Sequence, residues 1–192
     1  MWRFAVKALQ AGIGVLLAAG PVSGATTGDV TVTVTVQSLS LAVTSNGTWA
    51  VGTVSAGSTT TQTGAQRAVV QNNGNSTERF TLQLSNAGGT WSVSTDQTAG
   101  ADECVMNGIF AATGDSIVTG DFNTSTGNED IITGAPASAS ATVYATAAGS
   151  ANGASVPAGQ SRGLWLQLKA PTSSSTAAQQ SLTTTIGVEA AP

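Results

Sequence analysis

The feature of this sequence that most constrains its fold is an alternation of apolar and polar residues, clearest in Asp29 to Gln37 (DVTVTVTVQ) and repeated as far as Glu189. A period of two belongs to β-strands, in which successive side chains point to opposite faces. The frequent Thr, Val and Ser residues also favour strands, and clusters of Asn and Gly between the alternating runs are typical of turns. We therefore predict an all-β chain that folds as an antiparallel two-sheet sandwich.

Ten short strands are predicted from this alternation, and two of them also indicate which face is buried. Phe80, Leu82 and Leu84 share one face of their strand and are expected in the core. In the run GLWLQLK the leucines take the core face, so Trp165 lies opposite them, either as an interface anchor or in a second layer of the sandwich. The predicted strands cover residues 29–37, 39–43, 49–54, 67–71, 78–85, 91–94, 103–109, 139–145, 163–169 and 181–189.

The first 25 residues have the pattern of a secretory signal peptide. Arg3 and Lys7 flank the start of a largely apolar run, and the small residues ending at Ala25 suit cleavage after that position. The apolar run is shorter than the roughly 20 residues that a membrane-spanning helix needs, so a membrane anchor is the less favoured alternative. We predict a cleaved signal helix at 1–25, an N-terminal strand or donor arm at 26–37 and a sandwich domain at 38–192. The product is expected to be secreted, extracellular or at the cell surface, with no membrane association after cleavage.

The ionisable residues exclude several classes of function. Only 8% of residues are charged, and ten acidic residues outnumber six basic ones. No basic cluster is present to neutralise phosphates, so nucleic acid is not an expected partner. The chain has no His, the side chain that most often serves as a general base, and we predict that it is not an enzyme. Its single cysteine, Cys104, has no partner for an internal disulfide, and apolar neighbours indicate a small buried residue.

Negative charge is concentrated in one region, because seven of the ten acidic residues lie from Asp96 to Asp130. Ca²⁺ prefers six to eight oxygen ligands, so calcium is a candidate cofactor, and no other is expected. The alternatives are a solvated acidic loop and, as a distant third, a carboxylate pair that hydrolyses glycosides. The segment 110–137, which overlaps this acidic region, has no regular alternation and is predicted to be a long loop. The candidate calcium ligands are Asp102, Glu103, Asp115, Asp121, Asn123, Glu129 and Asp130.

The first predicted strand changes phase at Gln37–Ser38. Before this point the apolar residues are even-numbered (Val30, Val32, Val34 and Val36). From Leu39 onward they are odd-numbered. Since a slip of one residue turns a strand over, the chain must kink, bulge or change sheets there. One interpretation is a first strand that crosses between the sheets of its own sandwich. The other is an arm, Thr26–Gln37, that inserts into the next subunit by strand addition, with the four valines filling that subunit's core.

Two segments carry a resemblance to a known group of proteins. Val69 to Val93 contains the pattern N-x-G-N, F-x-L-x-L, G-x-W, and Pro157 to Val188 is similar to a closing hairpin; both resemble secreted prokaryotic immunoglobulin-like domains. The resemblance implies an immunoglobulin-like or jelly-roll-like sandwich outside the cell.

In architecture the chain also resembles strand-donating fibre subunits, such as camelysin/TasA-like biofilm proteins and archaeal adhesion filaments. This implies a structural subunit of an extracellular filament or matrix fibre that assembles as a homo-polymer. The alternative is a monomeric adhesion or glycan-binding module that recognises a surface glycan or protein through the 110–137 loop.

Overall fold

A computed structural model describes residues 33–86, 89–123, 129–146 and 151–192. The chain divides into two compact units, Met1–Thr35 and Val36–Pro192. The predicted signal helix, the cleavage position at Ala25, and the arm residues Val30 and Val32 lie outside the described residues. The account below therefore concerns the second unit and, of the first, residues 33–35 alone.

Within the described residues the second unit consists of strands joined by turns and loops. The regular elements other than strands are limited to one 3-10 turn, Thr119–Asp121, and no described helix is long and apolar enough to cross a bilayer. The prediction of an all-β chain is therefore confirmed. The nine strands are β1 (Leu41–Ser45), β2 (Thr59–Thr61), β3 (Ala68–Asn72), β4 (Glu78–Asn86), β5 (Ser92–Val93), β6 (Glu103–Ala111), β7 (Ala137–Ser138), β8 (Ser161–Lys169) and β9 (Leu182–Ala190).

The strands form two sheets. The larger sheet has the order β1-β3-β8-β6-β5, with the short β2 paired to β8 as well, and the smaller sheet has the order β7-β4-β9. Neighbouring strands are antiparallel except β5 and β6, which pair in parallel over two residues. The prediction of two sheets is thus confirmed, and the prediction of wholly antiparallel pairing is wrong at this one short pair.

The two sheets share one hydrophobic core. From the smaller sheet it receives Phe80, Leu82 and Leu84 of β4, which are at most 2% exposed. From the larger sheet it receives residues of β3, β6 and β8, among them Leu164 and Leu168. The period-two alternation of β4 and β8 therefore assigned the core face of both strands correctly.

A second apolar cluster covers the opposite face of the larger sheet. It contains the buried residues Ile109, Ala111, Ile117, Phe122 and Trp165. The segment that follows β6 packs back over the sheet to form it, so the first part of the predicted 110–137 loop is a covering layer. Trp165 is fully buried there, with the Arg67 guanidinium 5.5 Å from its ring centroid. Of the two interpretations of Trp165, the second layer is confirmed and the interface anchor is wrong.

Two predicted strands do not form, and the described part of a third, residues 33–37 of the predicted strand 29–37, has no regular secondary structure. In 49–54 the side chains of Trp49 and Val51 pack on the core, but Gly52 has φ +78° and the main chain of these residues makes no described ladder bond. In 139–145 the Ser140 hydroxyl accepts hydrogen bonds from the main-chain N–H groups of Thr142 and Val143, which turns the chain. Alternation in 49–54 reflects packing without pairing, and in 139–145 only isolated main-chain bonds form, from Ala139 to Phe80 and between Phe110 and Tyr144.

Cys104 lies on β6 and is fully buried, as its apolar neighbours predicted. Its Sγ is 3.4 Å from the main-chain oxygen of Ser92. Burial raises the pKa of the thiol to about 11, so it stays protonated at neutral pH and is a poor nucleophile.

Candidate functional site

The segment that leads from the arm into β1 is bound to the loop between β3 and β4. Asn75 accepts a hydrogen bond from the Ser38 N–H through Oδ1 (2.8 Å) and donates one to the Val36 carbonyl through Nδ2 (2.8 Å). Its own main-chain N–H donates to the Ser38 carbonyl. The predicted break at Gln37–Ser38 is therefore a fixed attachment point, at which one side chain binds the chain on both sides of Gln37.

Neighbouring residues of the same loop complete this attachment. Glu78 is fully buried and accepts the Ser40 N–H at 2.6 Å. A Cβ at Gly74 would collide with the Ser38 carbonyl oxygen and with Glu78 Oε1, so only glycine permits this close approach. The N-N-G-N motif, quoted above for its resemblance, thus has a local physical role in binding the base of the arm.

The described part of the arm lies outside every strand. Val34 and Val36 are 78% and 75% exposed, although β-branched apolar side chains gain about 1.5–3 kcal/mol each from full burial. Residues 33–40 have no regular secondary structure. The two arm valines that the structure describes therefore present unburied apolar surface.

A candidate feature that the sequence did not reveal is the outer edge of β9, the last strand of the smaller sheet. β9 pairs with β4 over its whole length, from Glu78↔Ala190 to Asn86↔Leu182. The even-numbered residues of β4 direct their main-chain groups away from β9: Phe80 and Leu84 donate to the carbonyls of Gly153 and Thr133.

Because antiparallel residues alternate between bonding towards and away from a neighbour, the even-numbered residues of β9 likewise face away from β4. We call the main-chain groups of these residues the free edge, since they meet no partner among the described residues. The free edge comprises the N–H and C=O groups of Leu182, Thr184, Ile186, Val188 and Ala190.

Side-chain burial falls sharply across the smaller sheet. Leu82 is fully buried, whereas Ile186, its register partner on β9, is only half-buried although it packs on the same core. Likewise Phe80 is fully buried, whereas its register partner Val188 is only half-buried. The core is thus incompletely covered along the free edge.

The candidate calcium ligands lie in separate places. Asp102 and Glu103 are at the start of β6, and Asp102 Oδ1 accepts the Ser175 N–H at 2.8 Å, which lowers the pKa of its carboxyl. Asp115 and Asp121 follow the other end of β6 and line a cavity of about 170 Å³. Within the described residues, no three His, Cys, Asp or Glu side chains come close enough to hold a metal ion.

The remaining three candidate ligands do lie together. Asn123 donates from its main-chain N–H to Asp130 Oδ2 and from Nδ2 to Glu129 Oε2, the latter at 2.7 Å. Asp130 is fully buried, and burial raises the pKa of its carboxyl to about 7, with the Glu129 charge acting in the same direction and the Asn123 N–H against it. The sequence grouped seven residues as one acidic region, and the structure brings only these three together.

A polar pocket of about 250 Å³ lies on the outer face of the larger sheet. Its side-chain amides bind one another: Gln97 Nε2 donates to Asn107 Oδ1 at 2.8 Å, and Asn107 Nδ2 donates to Gln167 Oε1 at 3.4 Å. Lys169 Nζ donates to the Gln97 carbonyl at 3.3 Å. Asn107 and Gln167 are themselves buried, so the row of amides forms the floor of the pocket.

Comparison of the chain with protein-family models, curated proteins and solved structures gave no significant match.

Proposed function

We propose that this chain is a secreted structural subunit of an extracellular filament or matrix fibre, with no enzymatic activity. In this proposal, removal of the signal peptide after Ala25 exposes the arm, Thr26–Gln37, which inserts into the next subunit. The subunit body is a two-sheet sandwich of the immunoglobulin-like or jelly-roll-like type. The proposal accounts for the low charge of the chain, because closely packed subunits then bury few charged groups.

The observation that carries the proposal is the exposure of Val34 and Val36 directly beside a firmly bound attachment point. An apolar strand exposed next to a fixed base is suited to a partner outside its own body. Burial of its four valines would contribute about 1.5–3 kcal/mol each, which is enough to support a stable contact. Because arm and acceptor are different surfaces, the contact joins copies head to tail and does not need to close into a ring.

The test compares the chain that begins at Thr26 with one that begins at Ser38. We expect filaments in negative-stain micrographs for the former and monomers by light scattering for the latter. Association of the shortened chain equal to that of the longer one would contradict the proposal.

A matched pair of variants separates the valine face from the arm as a whole. Val32→Lys with Val34→Lys places two charges on the apolar face, and Thr31→Lys with Thr33→Lys places the same charges on the polar face. We expect loss of filaments in the first variant and their retention in the second, because only the valine face is buried on insertion.

The alternative function is a monomeric adhesion or glycan-binding module. The polar pocket favours it, since rows of side-chain amides commonly bind sugar hydroxyls. If it is correct, the intact chain stays monomeric, and a binding glycan raises its melting temperature. The Gln97→Ala variant should then lose that increase.

A further inference from the structure

We propose that the free edge of β9 is the acceptor site for the arm of a second copy of this chain. This inference rests on the proposed function. It adds the place of insertion and the face of the sheet on which the arm valines lie. The valine face of the arm covers the side of the core that β9 leaves half-exposed.

The outward main-chain groups of β9 have no partner among the described residues. Five residues direct their N–H and C=O groups to the free edge, and unpaired edges of this length are templates for another strand. Protective devices such as Pro, Lys or a bulge do not occur in β9, whose register with β4 is continuous. Its one charged residue, Glu189, lies on the other face of the strand and binds Arg79 at 2.7 Å.

The side chains of the two strands match in number and spacing. The alternating arm segment Asp29–Gln37 has four valines at every second position, and β9 has four core-facing residues at every second position: Leu182, Thr184, Ile186 and Val188. Residues opposite each other in a sheet point to the same face. A valine opposite Ile186 therefore contacts the core, and the intervening threonines face outward.

The occupant is the arm of another copy, for a reason found at the base of the arm. Val36 is the arm valine closest to the body, and its carbonyl is bound by Asn75, yet its side chain remains 75% exposed. The base of the arm is thus held by a main-chain bond that leaves its apolar side chain exposed and available to a neighbouring copy. The same molecule thus offers a donor and an acceptor to different neighbours, as an open filament requires.

The decisive experiment uses a proline on the free edge. Thr184→Pro removes an N–H that points away from β4, so it blocks pairing at the edge without breaking any hydrogen bond described for the subunit. Thr184→Val is the matched control, because it changes the side chain and keeps the N–H. We expect the chain from Thr26 to form filaments with Thr184→Val and to remain monomeric with Thr184→Pro.

Mixing then tests the direction of the contact. The Thr184→Pro chain keeps its arm and can only donate, and the chain that begins at Ser38 keeps its edge and can only accept. Each alone should be a monomer, and an equimolar mixture should form a complex of one copy of each, with about twice the monomer mass by light scattering. Two arm-less chains, one of them with Thr184→Pro, should not associate.

Three results would overturn this inference in distinguishable ways. Filaments from Thr184→Pro, with none from the chain that begins at Ser38, would keep the arm as the linker and place its acceptor elsewhere. Association of the chain that begins at Ser38 would refute the proposed function itself. A stable monomer from the intact chain from Thr26 would show that the arm is occupied by its own body or awaits a different protein.

Amide hydrogen exchange provides a measurement that needs no edge variant. In the chain that begins at Ser38, the N–H groups of Thr184, Ile186 and Val188 should exchange rapidly, whereas those of Thr185 and Gly187 are protected by β4. Addition of a synthetic Thr26–Gln37 peptide should slow the exchange of the N–H groups of Thr184, Ile186 and Val188 by at least tenfold. The same peptide with lysines at the two central valine positions should not, and protection elsewhere in place of β9 would refute the assignment.

Discussion

The two edges of the smaller sheet differ in how completely they are covered. On the side of β4 that faces away from β9, the main-chain groups bond to Thr133, Ala139, Gly153 and Val156. On the far side of β9, the corresponding groups have no partner among the described residues. The β4–β9 pair thus has a closed side, where β4 bonds to β7 and to loops of its own chain, and an open side along β9 with no partner among the described residues.

This difference indicates where the fold is complete and where it is not. Loops that cover an edge protect a monomer from unwanted pairing, and the described residues cover the β4 side of the smaller sheet and not the outer side of β9. The half-burial of Ile186 and Val188 follows from the same asymmetry. The predictions below compare the closed and open sides directly.

The largest difference in stability loss is expected between alanine substitutions at two register partners on neighbouring strands, Leu82 of β4 and Ile186 of β9. Leu82→Ala on the closed side should lower the free energy of unfolding by about 2–5 kcal/mol, because it creates a cavity at a fully buried position. Ile186→Ala should cost less than half as much, since part of its side chain is already in water. Urea denaturation of the chain that begins at Ser38 measures both, and equal losses would show that the β9 side is as well covered as the β4 side.

Proline substitutions at adjacent positions of β9 should differ next. The Thr185 N–H faces Gln83 of β4, so Thr185→Pro leaves a carbonyl without its donor at a cost of about 1–3 kcal/mol. Thr184→Pro removes a donor that faces the open side and should be less destabilising by about this amount. Thermal unfolding in the arm-less background tests the order, and greater damage from Thr184→Pro would reverse the assigned directions of the main chain.

Asp130 should give the stability of the chain an unusual pH dependence. Its carboxyl has a pKa of about 7 in the folded chain against a reference value of 3.8, so between these values the folded state holds more protons than the unfolded state. Its contribution to stability is therefore present at low pH and is lost as pH rises towards 7, at up to about 1.4 kcal/mol per pH unit. The difference in unfolding free energy between the intact residue and Asp130→Asn should follow this slope from pH 4 to 7, and a constant difference would contradict it.

The smallest effect is expected at the base of the arm. Asn75→Ala removes the side-chain bonds to the Ser38 N–H and the Val36 carbonyl, at a cost of about 1 kcal/mol. The amide of Ser38 should exchange faster with solvent in this variant. Asn73→Ala is the control, because Asn73 binds Ser40 through its main chain alone, and a similar acceleration there would show that Asn75 has no special role.

The sequence predicted the long strands well, because each carries its own alternation. β4, β6, β8 and β9 were all expected within two residues of their observed bounds. Sequence analysis missed β2 and β7, whose three and two residues are too short for a period to appear. It also placed Trp165 ambiguously, since the burial of an outward-facing residue depends on a loop that returns over the sheet from 50 residues earlier in the chain.

The candidate site was predictable on one side only. The valines of the arm are visible as a local pattern, and so is the change of phase beside Ser38. The free edge is not local, because whether a strand has one neighbour or two is decided by distant parts of the chain. The acidic residues show the same limit: closeness in sequence suggested one calcium site, but β6 carries Asp102 and Asp115 towards opposite ends of the strand.

The pairing of β4 with β9 also has a consequence for the order of folding. Leu82 and Ile186 are register partners, although roughly 100 residues of chain separate them, and contacts that close such long loops form slowly. We therefore expect β9 to dock late, after the larger sheet has nucleated around the antiparallel pair of β1 and β3, which lie closer together in sequence. If the proposed strand addition is correct, a chain in which β9 has not yet docked lacks the acceptor surface, so the rate of this docking step would set how soon each molecule can bind the arm of the next.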